Sequence, residues 1–174
     1  MKTCLLGLIF LGLANLSSAQ NDLAMETSQF NDKDYTPRSV SVLNEQYLNL
    51  ELTAAQPLAV SIKKLQKVAA DFDVSKDPVY SKNKSMTYTV NFQSNDNSIT
   101  AIYDAKGVIL SSEEYYEDVR IPLTISSQLA KDYPGWAFLY STCTVNYEYT
   151  NGAEITYVIT LKKENKSKSI SLTL

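Results

Sequence analysis

Two clusters in this sequence have the residue types and spacing that chemistry uses. Ser61-Ile62-Lys63-Lys64 fits S-x-x-K, which places a serine nucleophile one helical turn from a lysine in β-lactamases and penicillin-binding proteins. Those enzymes add S-D-N and K-T-G elements. Neither occurs here, so a solvated helix face is the plainer reading. Glu113, Glu114, Glu117 and Asp118 form the second cluster. Paired carboxylates hydrolyse glycosides when held roughly 5 Å or more apart, and clustered carboxylate oxygens bind calcium. No D-x-D-x-D-G loop is present, and consecutive strand residues point to opposite faces. The four are therefore expected as a solvated strand end, with an acidic or weak calcium-binding patch as the alternative.

Composition narrows the chemistry further. The 174 residues include no histidine, which removes Ser–His–Asp triads, Cys–His pairs and His-ligated zinc. With 16 basic and 19 acidic side chains the formal charge is −3, the wrong sign for non-specific nucleic-acid binding. Beyond residue 20 the glycines are Gly107, Gly135 and Gly152, too far apart for G-x-G-x-x-G or a phosphate loop. No cofactor and no metal site are expected. Beyond Cys4 the sequence holds one cysteine, Cys143, which is expected as a small buried hydrophobe.

The elements that must position these residues begin with a leader. Met1-Lys2-Thr3 is a positive start, Cys4 to Leu13 is an apolar run, and Ser17-Ser18-Ala19 offers small residues for cleavage after Ala19. This is the pattern of a secretory signal peptide over residues 1–19. It predicts a protein exported to the periplasm or outside the cell. No later segment is long and apolar enough to span a membrane, so none is expected in the mature chain. Residues 20–39 read as a flexible lead-in, and Val40 and Val42 as a short edge strand.

Leu58, Ile62, Leu65, Ala69 and Phe72 recur at helical spacing. Met86 to Phe92, Ile99 to Tyr103 and Val108 to Tyr116 then alternate as three strands joined by turns at Ser94–Asn97 and Asp104–Gly107. Asp118 is read as the cap of a second helix, with Pro122 near its start and Ile125, Leu129 and Tyr133 along its inner face. Trp136, Phe138 and Tyr140 begin a fourth strand on a core-facing parity, and a bulge or a bend near residues 141–144 shifts that parity. Asn151-Gly152 turns into a fifth strand, and Ile170 to Leu174 form the last. The expected fold class is α+β, as two tandem helix-plus-three-strand units with the helices on one sheet face. The first unit would be residues 40–117 and the second residues 118–174.

Tyr103-Asp104, Gly107 and Glu113 resemble the Y-D-x-x-G-x-x-x-x-x-E hairpin of exported PepSY-like proteins of the Bacteroidetes. The resemblance continues through Val119-Arg120-Ile121-Pro122, through Lys131 to Trp136, and through Tyr147-Glu148-Tyr149, Tyr157, Lys162, Lys166 and Lys168. It covers residues 40–174. It implies a fold like that of the β-lactamase inhibitor protein, built from tandem units. It also implies an association with peptidase propeptides and inhibition, and it carries no catalytic residues.

Strand alternation assigns Thr87, Thr89, Asn91, Thr100, Glu154, Thr156, Thr160, Ser169, Ser171 and Thr173 to the sheet face away from the core. Such a hydroxyl-rich, weakly charged face suits docking of an envelope protein or peptide. The expectation is thus an exported, non-enzymatic binding module. The alternatives are an inhibitor or chaperone of an envelope peptidase, a glycan-binding protein, or a small hydrolytic protein. Tyr115 and Tyr116 are adjacent, so one of them must leave the core.

Overall fold

The computed structural model describes residues 25–26, 42–50, 57–81 and 85–174. The leader at 1–19 and Val40 lie outside these residues, as does the lead-in apart from Met25–Glu26. Val42 belongs to a single 3-10 turn, Val42–Asn44, and not to a strand.

Helices α1 (Glu45–Leu48), α2 (Val60–Ala70) and α3 (Leu123–Asp132) accompany strands β1 (Met25–Glu26), β2 (Thr87–Ser94), β3 (Asn97–Asp104), β4 (Ile109–Glu117), β5 (Ala137–Glu148), β6 (Gly152–Lys163) and β7 (Lys166–Thr173). Strands β2 to β7 pair antiparallel in chain order, and β1 adds two residues parallel to β2. Each expected turn has a local cause. Asp104 Oδ1 accepts from the backbone N–H groups of Lys106 and Val108 at 2.8 and 2.9 Å. Gly107 closes the same turn at φ 86°, a conformation that side-chain-bearing residues resist. The Y-D-x-x-G signature is thus the chemistry of one tight hairpin.

The expected two-unit fold is corrected here. β4 and β5 pair without interruption from Ser111↔Glu148 to Glu117↔Thr142, so the sheet runs straight across the boundary placed after residue 117. Tyr47 of α1, Ile62 and Leu65 of α2, and Ile125 and Leu129 of α3 enter one hydrophobic core with the inward side chains of β2 to β6. The physical reason is the edge. Two separate three-stranded sheets would leave β4 and β5 as long unpaired edges, and pairing them satisfies both rows of backbone groups.

Two local expectations also change. Asp118 does not cap α3. It sits at φ 48°, and Pro122 takes the cap position with no side-chain bond. The register shift in β5 falls between Phe138 and Tyr140, ahead of residues 141–144. Phe138, Leu139 and Tyr140 are consequently exposed and do not begin a core-facing run. Of the adjacent tyrosines, Tyr116 is buried and Tyr115 exposed.

Candidate functional site

The outward face of the sheet gathers the side chains that alternation assigned to it. Cross-strand register sets Asn91 beside Thr100, Thr100 beside Glu113, Glu113 beside Asn146, and Asn146 beside Glu154. A neighbouring row runs Gln93, Ser98, Tyr115, Thr144, Thr156 and Thr173. Thr160 pairs with Ser169, and Val158 with Ser171. Thr87 and Thr89 stand on the same face of β2, opposite Asp104 and Ile102. These side chains are half-buried or exposed, and the described helices lie on the other face.

Hydrogen bonds tie neighbouring strands across this surface. Thr100 donates to Asn91 Oδ1 at 2.7 Å, while the hydroxyls of Thr156 and Thr173 lie 2.9 Å apart and those of Thr160 and Ser169 3.1 Å apart. Bonded hydroxyls make a polar face that is cheap to desolvate, since each keeps a partner when water leaves. Tyr115 donates to Glu117 Oε1 at 2.9 Å, and its hydroxyl also contacts that of Tyr140. The hydrogen bond with the Tyr140 hydroxyl, and then that with the Glu117 carboxylate, push the Tyr115 phenol above its ordinary range. The two exposed rings stand as the aromatic feature of this face.

The acidic cluster is not brought together. Glu113 is exposed on the outward face, Glu117 is half-buried beneath Tyr115, and Asp118 lies exposed beyond the strand end. Glu114 points inward and is 3% exposed. An acidic or calcium-binding patch of these four therefore does not form. Among the described residues, no three acidic or cysteine side chains converge to hold a metal ion. Ser61 and Lys64 are both exposed on α2, as a solvated helix face requires.

Glu114 instead forms a buried hub that the sequence reading missed. Its Oε1 accepts from Tyr47 at 2.7 Å and Ser112 at 2.8 Å, and its Oε2 from Gln66 at 2.9 Å and Tyr116 at 2.6 Å. Four donors fill the acceptor capacity of one carboxylate. Burial raises the carboxyl's pKa above its ordinary value, against the four bonds that favour the charged form. Burial and the nearby Glu114 charge push the Tyr47, Tyr103 and Tyr116 phenols well above theirs. Sealed in this way, Glu114 joins α1, α2 and β4.

Asn44 makes a second buried clamp. Its Nδ2 donates to the carbonyls of Ala70 and Gly107 at 3.1 Å each, and its Oδ1 accepts from the Ile109 N–H at 2.9 Å. One side chain thereby fixes the end of α2 against the β3–β4 hairpin. The Cys143 thiol is buried and free, and burial pushes its pKa up to about 12. That is far from a reactive thiolate.

No family model, curated protein or solved structure matches the chain. The expected likeness to PepSY-like proteins rests on the sequence motifs alone, and several of their residues have structural tasks here. Asp104 and Gly107 build a turn, and the Tyr103 hydroxyl bonds the Ala69 carbonyl at 2.8 Å. No described helix is long and apolar enough to cross a membrane.

Proposed function

We propose that this is an exported, non-enzymatic binding module of PepSY-like type that docks a protein or peptide on its outward sheet face. The observation that carries the reading is the surface on β2 to β7 where Tyr115 stands beside Ser98 and Thr144 and Tyr140 beside Thr160, among cross-strand side-chain hydrogen bonds. Aromatic side chains among satisfied polar groups are typical of the centre of a protein interface, where the rings supply binding energy and the rim excludes water. The absence of histidine and the sealed position of Glu114 support a role without catalysis. Export rests on the leader pattern at 1–19. Intact-mass analysis of the cell-expressed protein should give a chain starting at Gln20, and an unprocessed Met1 would remove export from the account.

Cross-linking capture from the envelope and secreted fractions tests the docking face. One saturable polypeptide should be captured by the wild-type chain and lost in a Thr100→Arg/Thr156→Arg variant that still folds. Equal capture by both chains would sink the reading. A captured peptidase would narrow the function to inhibition or chaperoning.

A further inference from the structure

The far end of the sheet has a different character. β5 continues to Ala137, but its pairing with β4 ends at Glu117↔Thr142. Beyond that point β5, β6 and β7 pair only with one another, through Ala137↔Lys162 and Lys163↔Lys166, with Tyr133 and Gly135 beside their lysines. The register shift between Phe138 and Tyr140 leaves Phe138 43% and Leu139 58% exposed on this projection. The same end of β6 and β7 carries Lys162, Lys163, Lys166 and Lys168, all exposed, with Lys163, Lys166 and Lys168 on the same sheet face as Phe138 by register. Among the described residues none of the four is in an ion pair. Glu164, in the turn, is the one acidic residue between Ile159 and Ile170. Lys168 lies 4.6 Å from the centre of the Tyr133 ring, which itself packs edge-on to Trp136. In a chain of net charge −3 this is a local reversal of sign.

We propose that this projection is a contact for anionic lipid bilayers. The lysines would meet headgroup phosphates, and Phe138 and Leu139 would enter the boundary of the acyl region. Peripheral attachment takes two signals, apolar insertion and basic charge, and this end carries both. Phe138 and Leu139 are adjacent exposed apolar side chains, which fits a soft surface they penetrate better than an acidic polypeptide, for which the lysines alone would suffice. The Tyr140–Thr160–Ser169 row of the hydroxyl face borders this projection, but the lysines, Phe138 and Leu139 lie outside that row, so substituting them leaves its hydroxyls in place and each inference can fail without the other.

The test is co-sedimentation of the full-length chain with vesicles of phosphatidylcholine alone, or with about one third phosphatidylglycerol. Variants are purified in the same way, so any contribution of residues 1–19 is common to all. Partitioning should be at least about tenfold stronger on the anionic vesicles and should fall sharply at about 0.5 M salt. The Lys162→Gln/Lys163→Gln/Lys166→Gln/Lys168→Gln variant should drop to the neutral-vesicle level, and Phe138→Ser/Leu139→Ser should lose about tenfold. Equal partitioning on both vesicles would overturn the proposal, as would undiminished binding by the lysine variant. Binding to polyglutamate with none to vesicles would overturn it too, in favour of an acidic polypeptide.

Discussion

Glu113 and Glu114 are neighbours in the chain and opposites in the fold. Glu113 stands on the wet face between Thr100 and Asn146, where water solvates its charge. Glu114 stands in the core, where four side-chain donors replace that water. The same residue type thus belongs to a surface on one side of the sheet and to a structural joint on the other. The strand's two-residue period makes the difference. Stability is therefore concentrated on the inward face.

Substitutions sharpen that contrast. The largest effect should come from Glu114→Ala. It strands donors from Tyr47, Gln66, Ser112 and Tyr116 in the core, at about 3 kcal/mol or more of unfolding free energy in urea titrations. Asn44→Ala removes two donated bonds and one accepted bond, and should cost about 2 kcal/mol by the same measurement. Glu114→Gln keeps the shape and should cost about 1 kcal/mol.

The glutamine variant also isolates a pH effect. Burial holds the folded carboxyl above its ordinary 4.5, so the native state keeps a proton that the unfolded chain releases. Native protons exceed unfolded ones from about 4.5 upward to the folded value, and stability must fall as pH rises through that window. The stability advantage of wild type over Glu114→Gln should shrink with rising pH there. An advantage that grows instead would refute the assignment. The smallest effect is expected on the wet face, where Glu113→Ala should stay within about 0.5 kcal/mol of wild type. A Glu113 change as costly as the Glu114 change would erase the distinction between the two faces.

Much of this was legible in the sequence because alternation is a local signal. It separated Tyr88, Val90 and Phe92 from Thr87, Thr89 and Asn91, and the structure places the two sets on opposite faces. The turns at Asp104–Gly107 and Asn151-Gly152 were readable from residues that tolerate or require special backbone angles. Strand partnership was not legible. Alternation says which way a side chain points, and nothing in it says that β4 and β5 join into one sheet. Glu114 groups with its charged neighbours in sequence because adjacency hides two of its four donors, which lie 48 and 67 residues away at Gln66 and Tyr47. A signal was present nonetheless. Glu114 shares even parity with Tyr116, and the alternation rule alone places both inward. The extra residue at Leu139 went unseen at its true position because a bulge depends on the neighbouring strand's register.

The division of labour between the faces is tested most directly by site-specific photo-cross-linking. A photoreactive side chain would replace Thr100 or Thr156 on the outward face, or Asn151 in the distant β5–β6 turn, in chains expressed in the native envelope. Covalent adducts with one polypeptide from the two face positions, and none from Asn151, are the predicted result. Adducts from the turn alone, or the same partner from all three positions, would contradict docking on the sheet face.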